Sequence, residues 1–343
     1  MSRQTGTMPS VPSALLRARD LLGPALRDCV AALSPEIRRV VGYHLGFVDA
    51  EGRPSTGDGG KAVRPALAFL SAQAVGSPTA VALPGAVAVE LVHNFSLLHD
   101  DVMDHDLERR HRPTAWTLFG VGNAIVTGDA LMLLAQELLT DPASPERSRA
   151  ASALGKATAA MITGQAEDLS FESRLDVSVE ECLRMTAHKT GALLSCAASI
   201  GAILAGADEA AVSALADFGL HLGLAFQAVD DVLGIWGHPE VTGKPVASDL
   251  RAHKKTLPVV TALASTGEDR DRLFDLLSNG SLSEEAAALA ADLVDRCGGK
   301  ERTQTEAERQ LDLALASLHR VPIESEPRGE LEEIAAFVTA RDF

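Results

Sequence analysis

Apolar residues recur at three- and four-residue spacing through most of the chain, the period of a helix face turned toward a core. Leu311, Leu315 and Leu318 trace one such face near the C-terminus. Ser283 reads as the N-cap of a helix over Glu284–Arg296, with Gly298 as its stop. No sustained alternation of Val, Ile and Thr is bounded by turn pairs, so strands are not expected. Pro and Gly mark loops at Gly52–Gly60, Gly76–Thr79, Asp141–Pro145 and Gly237–Ser248, none odd enough in composition for an interdomain linker. No fixed-period repeat or low-complexity tract appears. The pattern predicts an all-α fold, a single large helical bundle over residues 13–343. A polar tail rich in Ser, Thr and Pro, residues 1–12, precedes it and is expected to be disordered.

Composition adds three constraints. With 343 residues and 46% hydrophobic content the chain can bury a large core. Its net charge of -16 and pI near 5.0 oppose nucleic acid and anionic membrane surfaces, so neither is an expected partner. The cysteines, Cys29, Cys182, Cys196 and Cys297, show no zinc-type spacing, and the N-terminus has no apolar secretory core. Both point to a reducing, cytoplasmic setting. Thr190–Ala207 is uncharged over about the minimum membrane-spanning length. It is rich in Ala, Gly and Ser and closely bounded by Lys189 and Asp208, which predicts a buried core helix rather than stable membrane insertion.

Candidate chemistry lies in two acidic segments. The first, HNFSLLHDDVMDHDLERRHR over His93–Arg112, follows an apolar helical run. Asp100 and Asp104 fall one turn apart on one face. Two such carboxylates repel unless a cation lies between them. Mg²⁺ fits, because it takes one or two carboxylates, keeps several waters and completes its shell with phosphate oxygens. Arg109 and Arg110 follow as phosphate partners, expected about 100° apart on a helix and so able to serve two diphosphates. The second segment ends an apolar helix in Asp230–Asp231, followed by a Gly/Pro loop with Lys244, then Asp249 and Lys254–Lys255. That order suits a second acidic wall with a mobile basic lid.

Other polar positions carry weaker signals. Lys61 and Arg64 flank the start of a helix at GGKAVRP, a place suited to an anion. His93 shares a helix face with Asp100. Lys189–Thr190 precede the apolar Ala/Gly helix, and Gln165 and Asp168 read as a buried hydrogen-bonded pair.

GGKAVRP, HDDVMDHDLERRHRPTAW, GDALML, GQAEDL, HKTGALL, FQAVDDVLGIWG and TGKPVASDL occur in order and span most of the chain. In these blocks the sequence resembles the trans-isoprenyl diphosphate synthases, the farnesyl and geranylgeranyl diphosphate synthase family. The resemblance implies an all-α, usually homodimeric fold around a deep central cavity. It implies three Mg²⁺ ions, with Mn²⁺ as a substitute: two at Asp100 and Asp104 and one at Asp230, supported by Asp101 and Asp231. Arg109, Lys189, Gln227, Lys244 and Lys254, with Thr190 nearby, are the implied contacts of the allylic diphosphate. Lys61, Arg64, His93 and Arg110 are those of isopentenyl diphosphate. The implied reaction is a head-to-tail condensation of the two, releasing diphosphate.

The sequence departs from the family pattern at Gly234, where a third Asp is frequent, and at His238, after Gly237. Residues four and five before Asp100, Ser96 and Phe95, lie about 6–7.5 Å deeper along the helix. A small Ser96 with no insertion in the first motif resembles the C20 (geranylgeranyl) pattern, and Phe95 argues against very long products. A C15 synthase, a class I terpene cyclase and a non-catalytic partner subunit are the alternatives. Low aromatic content, 4%, disfavours the cyclase, which needs aromatic faces to steady cations. Intact acidic and basic positions disfavour the partner subunit.

Overall fold

The computed structural model describes residues 11–55, 60–237, 247–278 and 282–340. Most of the tail expected over residues 1–12 therefore lies outside the described residues, as do Lys244, His238 and most of the expected lid loop.

The described chain is almost wholly helical. The first ten helices are α1 Ser13–Ala31, α2 Pro35–His44, α3 Val63–Ala74, α4 Leu83–Met103, α5 Ala115–Phe119, α6 Val121–Thr140, α7 Pro145–Phe171, α8 Val179–Thr186, α9 Ala192–Leu204 and α10 Glu209–Trp236. Six further helices lie between Ser248 and Thr339 among the described residues. The expected helix Glu284–Arg296 forms with those bounds, and the Ser283 hydroxyl accepts the Ala286 N–H at 3.2 Å. Gly298 follows it with a left-handed φ of 78°.

Three long segments, Thr79–Met103, Val179–Leu204 and Glu209–Trp236, are long and apolar enough to cross a membrane by length and composition. In the fold their apolar faces are turned on one another. α9 packs against α3, α4, α7 and α10, and every α9 residue except Ala192 and Ser195 is buried, as the sequence predicts for this stretch. Burial all round explains why α9 lacks the polar face of a surface helix. Leu67, Leu91, Leu193, Ile200, Leu215 and Phe218 lie at the centre of this core, each contributing about 1.5–3 kcal/mol by leaving water. A second cluster joins Ile235, Leu250 and Val259 to the helices over 268–296, and a third holds Cys182, Val229, Leu233 and Leu257 under the acidic end of α10.

Two departures from all-helix matter for the site. Residues 108–113 form a minute antiparallel hairpin, β1 Glu108–Arg109 and β2 Arg112–Pro113. Between α8 and α9 the backbone widens into a π-helical turn, Ala187–Gly191. Such turns occur mostly at functional sites, because the extra residue re-aims side chains.

Candidate active site

α4 ends at the first acidic cluster. Asp104 is its C-cap, with its N–H donating to the Asp100 carbonyl at 2.8 Å. Asp100 is half-buried, and its carboxyl is pushed up to about 6 by burial and by the Asp104 charge, against Lys189, Arg109 and Lys254. Asp101 points the other way and is buried. Its Oδ1 accepts Arg109 Nε at 2.6 Å, while its Oδ2 is buried without a partner. Burial raises this carboxyl to about 6 as well, with Arg109 opposing.

Arg109 and Arg110 are not on a helix, as the sequence reading expected. Arg109 ends β1, and Arg110 and His111 form the tip of the hairpin with φ of 53° and 59°. Left-handed conformation at both central residues matches the right-handed twist of two strands, and here it is adopted without glycine or asparagine. Tyr43 Oη donates to the Pro113 carbonyl at 2.7 Å, and Trp116 Nε1 donates to the Asp106 carbonyl at 2.8 Å, fixing the hairpin base. The turn still sends the arginines apart: Arg109 to Asp101, Arg110 to Gly60, where a Cβ would lie 2.8 Å from Arg110 Nη2.

The π-helical turn places Lys189 and Thr190. Lys189 Nζ donates to Asp168 Oδ2 at 2.5 Å, so Asp168 pairs with Lys189 rather than with Gln165. Both polar atoms of the Gln165 side chain are buried without partners. Gly164 makes the approach possible, because a Cβ there would lie 2.3 Å from the Lys189 amide nitrogen. Thr190 Oγ1 donates to Gln227 Oε1 at 2.9 Å, Gln227 Nε2 donates to Asp231 Oδ1 at 2.9 Å, and the Leu257 N–H donates to Asp231 Oδ2 at 2.9 Å. Both oxygens of Asp231 thus have protein donors, and burial raises this carboxyl to about 7. Asp230, its neighbour, is half-buried.

Lys254 ties the two walls. Its Nζ donates to Asp104 Oδ2 at 3.3 Å. Burial works against its charge, but Asp104, Asp249 and Asp168 outweigh that and raise its pKa. Lys255 turns away, donating to the Glu172 and His253 carbonyls at 3.2 and 2.7 Å.

A second, cationic cluster gathers around Arg64, His93 and His44, within reach of both Arg109 and Arg110. Arg64 is half-buried with its Nε buried and unpartnered, and its charge is opposed by burial and by Arg110. Burial and the nearby arginines hold His93 well below its usual range, and they lower His44 to about 3. Both histidines are therefore neutral. Glu90 is the acidic group coupled to Arg64 here, and Asn94 Nδ2 donates to its Oε1 at 3.1 Å. Lys61 lies with its ammonium over the Phe337 ring, 5.2 Å from the centroid. The sequence reading missed His44, Glu90 and Asn94. His44 ends α2 beside buried Val40 and Val41, a lone polar side chain in apolar company, which was the available signal.

Phe95 is buried and meets His99 edge to face, with ring centroids 4.8 Å apart. Ser96 folds its hydroxyl back to donate to the His93 carbonyl at 2.8 Å.

The donor set fits a metal–diphosphate site. Among the described residues no three His, Cys, Asp or Glu side chains converge into a closed cage, and Mg²⁺ does not need one when water and phosphate complete its shell. The orphaned atoms of Gln165, Asp101 and Arg64 are buried polar groups whose desolvation a bound ligand would offset.

A family model described as polyprenyl synthetase matches residues 52–294. The chain is 47% identical over 328 residues to a (2E,6E)-farnesyl diphosphate synthase of Mycobacterium tuberculosis, covering 94% of this chain and 91% of that protein. It is 43% identical over 317 residues to a geranylgeranyl diphosphate synthase of the same species, covering 91% of each. The crystal structure of a polyprenyl synthetase from Streptomyces coelicolor A3(2) superposes with a TM-score of 0.92 at 51% identity, covering 96% of this chain and 100% of that one. The chain belongs to the polyprenyl synthetase family of trans-prenyl diphosphate synthases and is a prenyltransferase.

Proposed function

We propose that this site condenses isopentenyl diphosphate head to tail with allylic diphosphates, uses magnesium, and stops at a twenty-carbon product. The observation that supports it best is the division made by the hairpin. Arg109 is bonded to Asp101 at the acidic end of α4, whereas Arg110 lies against Gly60 and acts on Arg64, and the charges of both reach His44 and His93. Adjacent arginines bonded in two directions suit two diphosphates.

In this reading Arg109, Lys189 and Lys254 grip the allylic diphosphate, with Thr190 and Gln227 bracing the wall behind it. Lys244 is assigned to the same diphosphate on the sequence alone. Asp100, Asp104 and Asp230 would hold the metal, and Asp101 and Asp231 orient Arg109 and Gln227. Bound magnesium, three ions in this reading, supplies Lewis-acid stabilisation of the departing diphosphate. The cationic side chains share that charge as the allylic C–O bond breaks. Arg64, Arg110, Lys61 and His93 hold isopentenyl diphosphate so that its double bond meets the allylic cation. A C–C bond forms, a proton leaves, and the released diphosphate accepts it, so no side-chain base is required.

Chain length rests on Ser96 and Phe95, one small residue and one large one a turn beneath Asp100. A fifteen-carbon product is the second reading, favoured by the 47% identity to a farnesyl diphosphate synthase. A homodimer is also part of the proposal. Leu118, Val121, Ile125, Val126, Leu133 and Ile162 of α5–α7 are all exposed, an apolar surface on adjoining helices that a second copy would cover.

The reaction is tested by following diphosphate release from isopentenyl and geranyl diphosphates with Mg²⁺. Release should require both substrates and stop on chelation, and Asp100→Ala should lower kcat at least about a hundredfold. Release from the allylic substrate alone at the full rate would contradict condensation.

A further inference from the structure

Lys61 stands on a segment whose backbone is closely defined. It lies between two left-handed residues, Gly60 with φ of 87° and Ala62 with φ of 53°. Ala62 is the N-cap of α3. The Gly60 carbonyl accepts Arg19 Nη2 of α1 at 2.8 Å, and Gly60 itself lies against the Arg110 guanidinium. The root of the Lys61 side chain is thus fixed beside the cationic cluster, while the side chain is long and exposed.

The last described helix, Ser325–Thr339, supplies a surface for that side chain. Every sequence block that carries the family resemblance ends before it. It packs against α3 and α1. The Glu324 N–H donates to the carbonyl of Ala74, the last residue of α3, at 2.9 Å, and Arg17 Nη2 of α1 donates to both carboxylate oxygens of Glu330 at 2.6 Å. Leu331, Ile334, Ala335 and Val338 are buried. Tied to the end of α3, this helix runs back along it and brings Phe337 to the segment before its start. The half-buried Phe337 ring packs against the main core and also receives the Lys61 ammonium, 5.2 Å from its centroid.

We propose that Phe337 is a positioning residue for Lys61, holding its ammonium ready for isopentenyl diphosphate. This rests on the assignment of Lys61 to that substrate. A lysine side chain loses much rotamer freedom when it is fixed on a ligand, and one already confined loses less. A carboxylate partner would confine it too, but would compete with the incoming phosphate for the charge. The face of an aromatic ring attracts the ammonium and offers no anion, so the charge stays available to phosphate. A packing role alone would need the bulk of Phe337 but not its ring face.

The test is steady-state kinetics of the full chain with Mg²⁺, reading kcat and the KM for each diphosphate, with circular dichroism and Tm reporting whether each variant folds. Phe337→Leu and Phe337→Met keep an apolar side chain and remove the ring. Each should raise KM for isopentenyl diphosphate about three- to tenfold and leave kcat and the allylic KM nearly unchanged. Phe337→Tyr keeps the ring face and should stay at the wild-type KM. Lys61→Met should raise the same KM by itself, and adding Phe337→Leu to it should change nothing further. A wild-type KM in Phe337→Leu and Phe337→Met, or an equal rise in Phe337→Tyr, would overturn the proposal while leaving Lys61 at the substrate. So would additive effects of Lys61→Met and Phe337→Leu, or loss of folding in both ring-removing variants, since either makes Phe337 a residue of the fold alone. An unchanged KM in Lys61→Met would remove the assignment of Lys61, and the proposal with it.

Discussion

At the scale of single residues, the acidic pairs divide their labour. Asp101 accepts Arg109 and Asp231 accepts Gln227 and the Leu257 N–H, whereas Asp104 accepts Lys254 from the opposite wall. Raised carboxyls give this arrangement a pH signature. Asp100 and Asp101 titrate near 6 and Asp231 near 7, all above the usual carboxylate range. These three carboxyls therefore hold more protons folded than unfolded between about pH 4 and pH 7, whereas the depressed His44 and His93 hold fewer below about pH 6.5. The carboxyls' contribution to metal-free stability is greatest on the acid side and falls as pH rises through that window, and the two histidines oppose it. Mg²⁺ binding releases these protons, so its affinity should rise about tenfold from about pH 5 to pH 7 and then level off. A titration of Mg²⁺ with diphosphate across that range checks this, and a flat profile would contradict it. Phe95→Ala should lengthen the product by one or more isoprene units, read by sizing the dephosphorylated alcohols. An unchanged length would show that Phe95 is not the floor. The acidic pairs were legible in sequence because each ends an apolar helical run, where a charge has little reason to be. His44 also stands in apolar company, but its link to the arginines comes from the fold of the hairpin and not from its neighbours in the chain.

At the scale of elements, two local deviations from regular helix place the arginines and Lys189. Periodicity predicted the helices well, and the Glu284–Arg296 helix and the buried α9 stretch agree with it closely. It could not show the hairpin, whose strands are only two residues each and whose tip is Arg110–His111 instead of a glycine turn. Nor could it show the π-helical turn, where one extra residue per turn leaves no mark in an apolar pattern. The division of the two arginines is testable. Arg110→Ala should raise KM for isopentenyl diphosphate at least about tenfold and leave that for the allylic substrate nearly unchanged, with Arg109→Ala doing the reverse. Equal effects on both substrates would contradict this division. Gly164→Ala should lower stability by about 1–3 kcal/mol, because the added methyl meets the Lys189 backbone. Chemical denaturation measures this, and a neutral result would mean that α7 and the π-helical turn can part without cost.

At the scale of the whole molecule, the surfaces of α9 are fully used within the chain, while those of α6 and α7 are not. Val126 and Leu133, seven residues apart on α6, are 54% and 62% exposed. Light scattering on the purified protein should give the mass of a dimer, and Val126→Asp with Leu133→Asp should give a monomer. A wild-type monomer would contradict this. The reaction and the length of its product are both read by one experiment. The protein is incubated with Mg²⁺, isopentenyl diphosphate and, in turn, the C5, C10 and C15 allylic diphosphates, and the dephosphorylated products are sized. A linear twenty-carbon alcohol from every primer is the predicted result. A product of fifteen carbons, or of twenty-five and more, would keep the condensation and contradict the reading of Phe95 and Ser96. No condensation, with a cyclic hydrocarbon formed from geranylgeranyl diphosphate alone, would contradict the account itself.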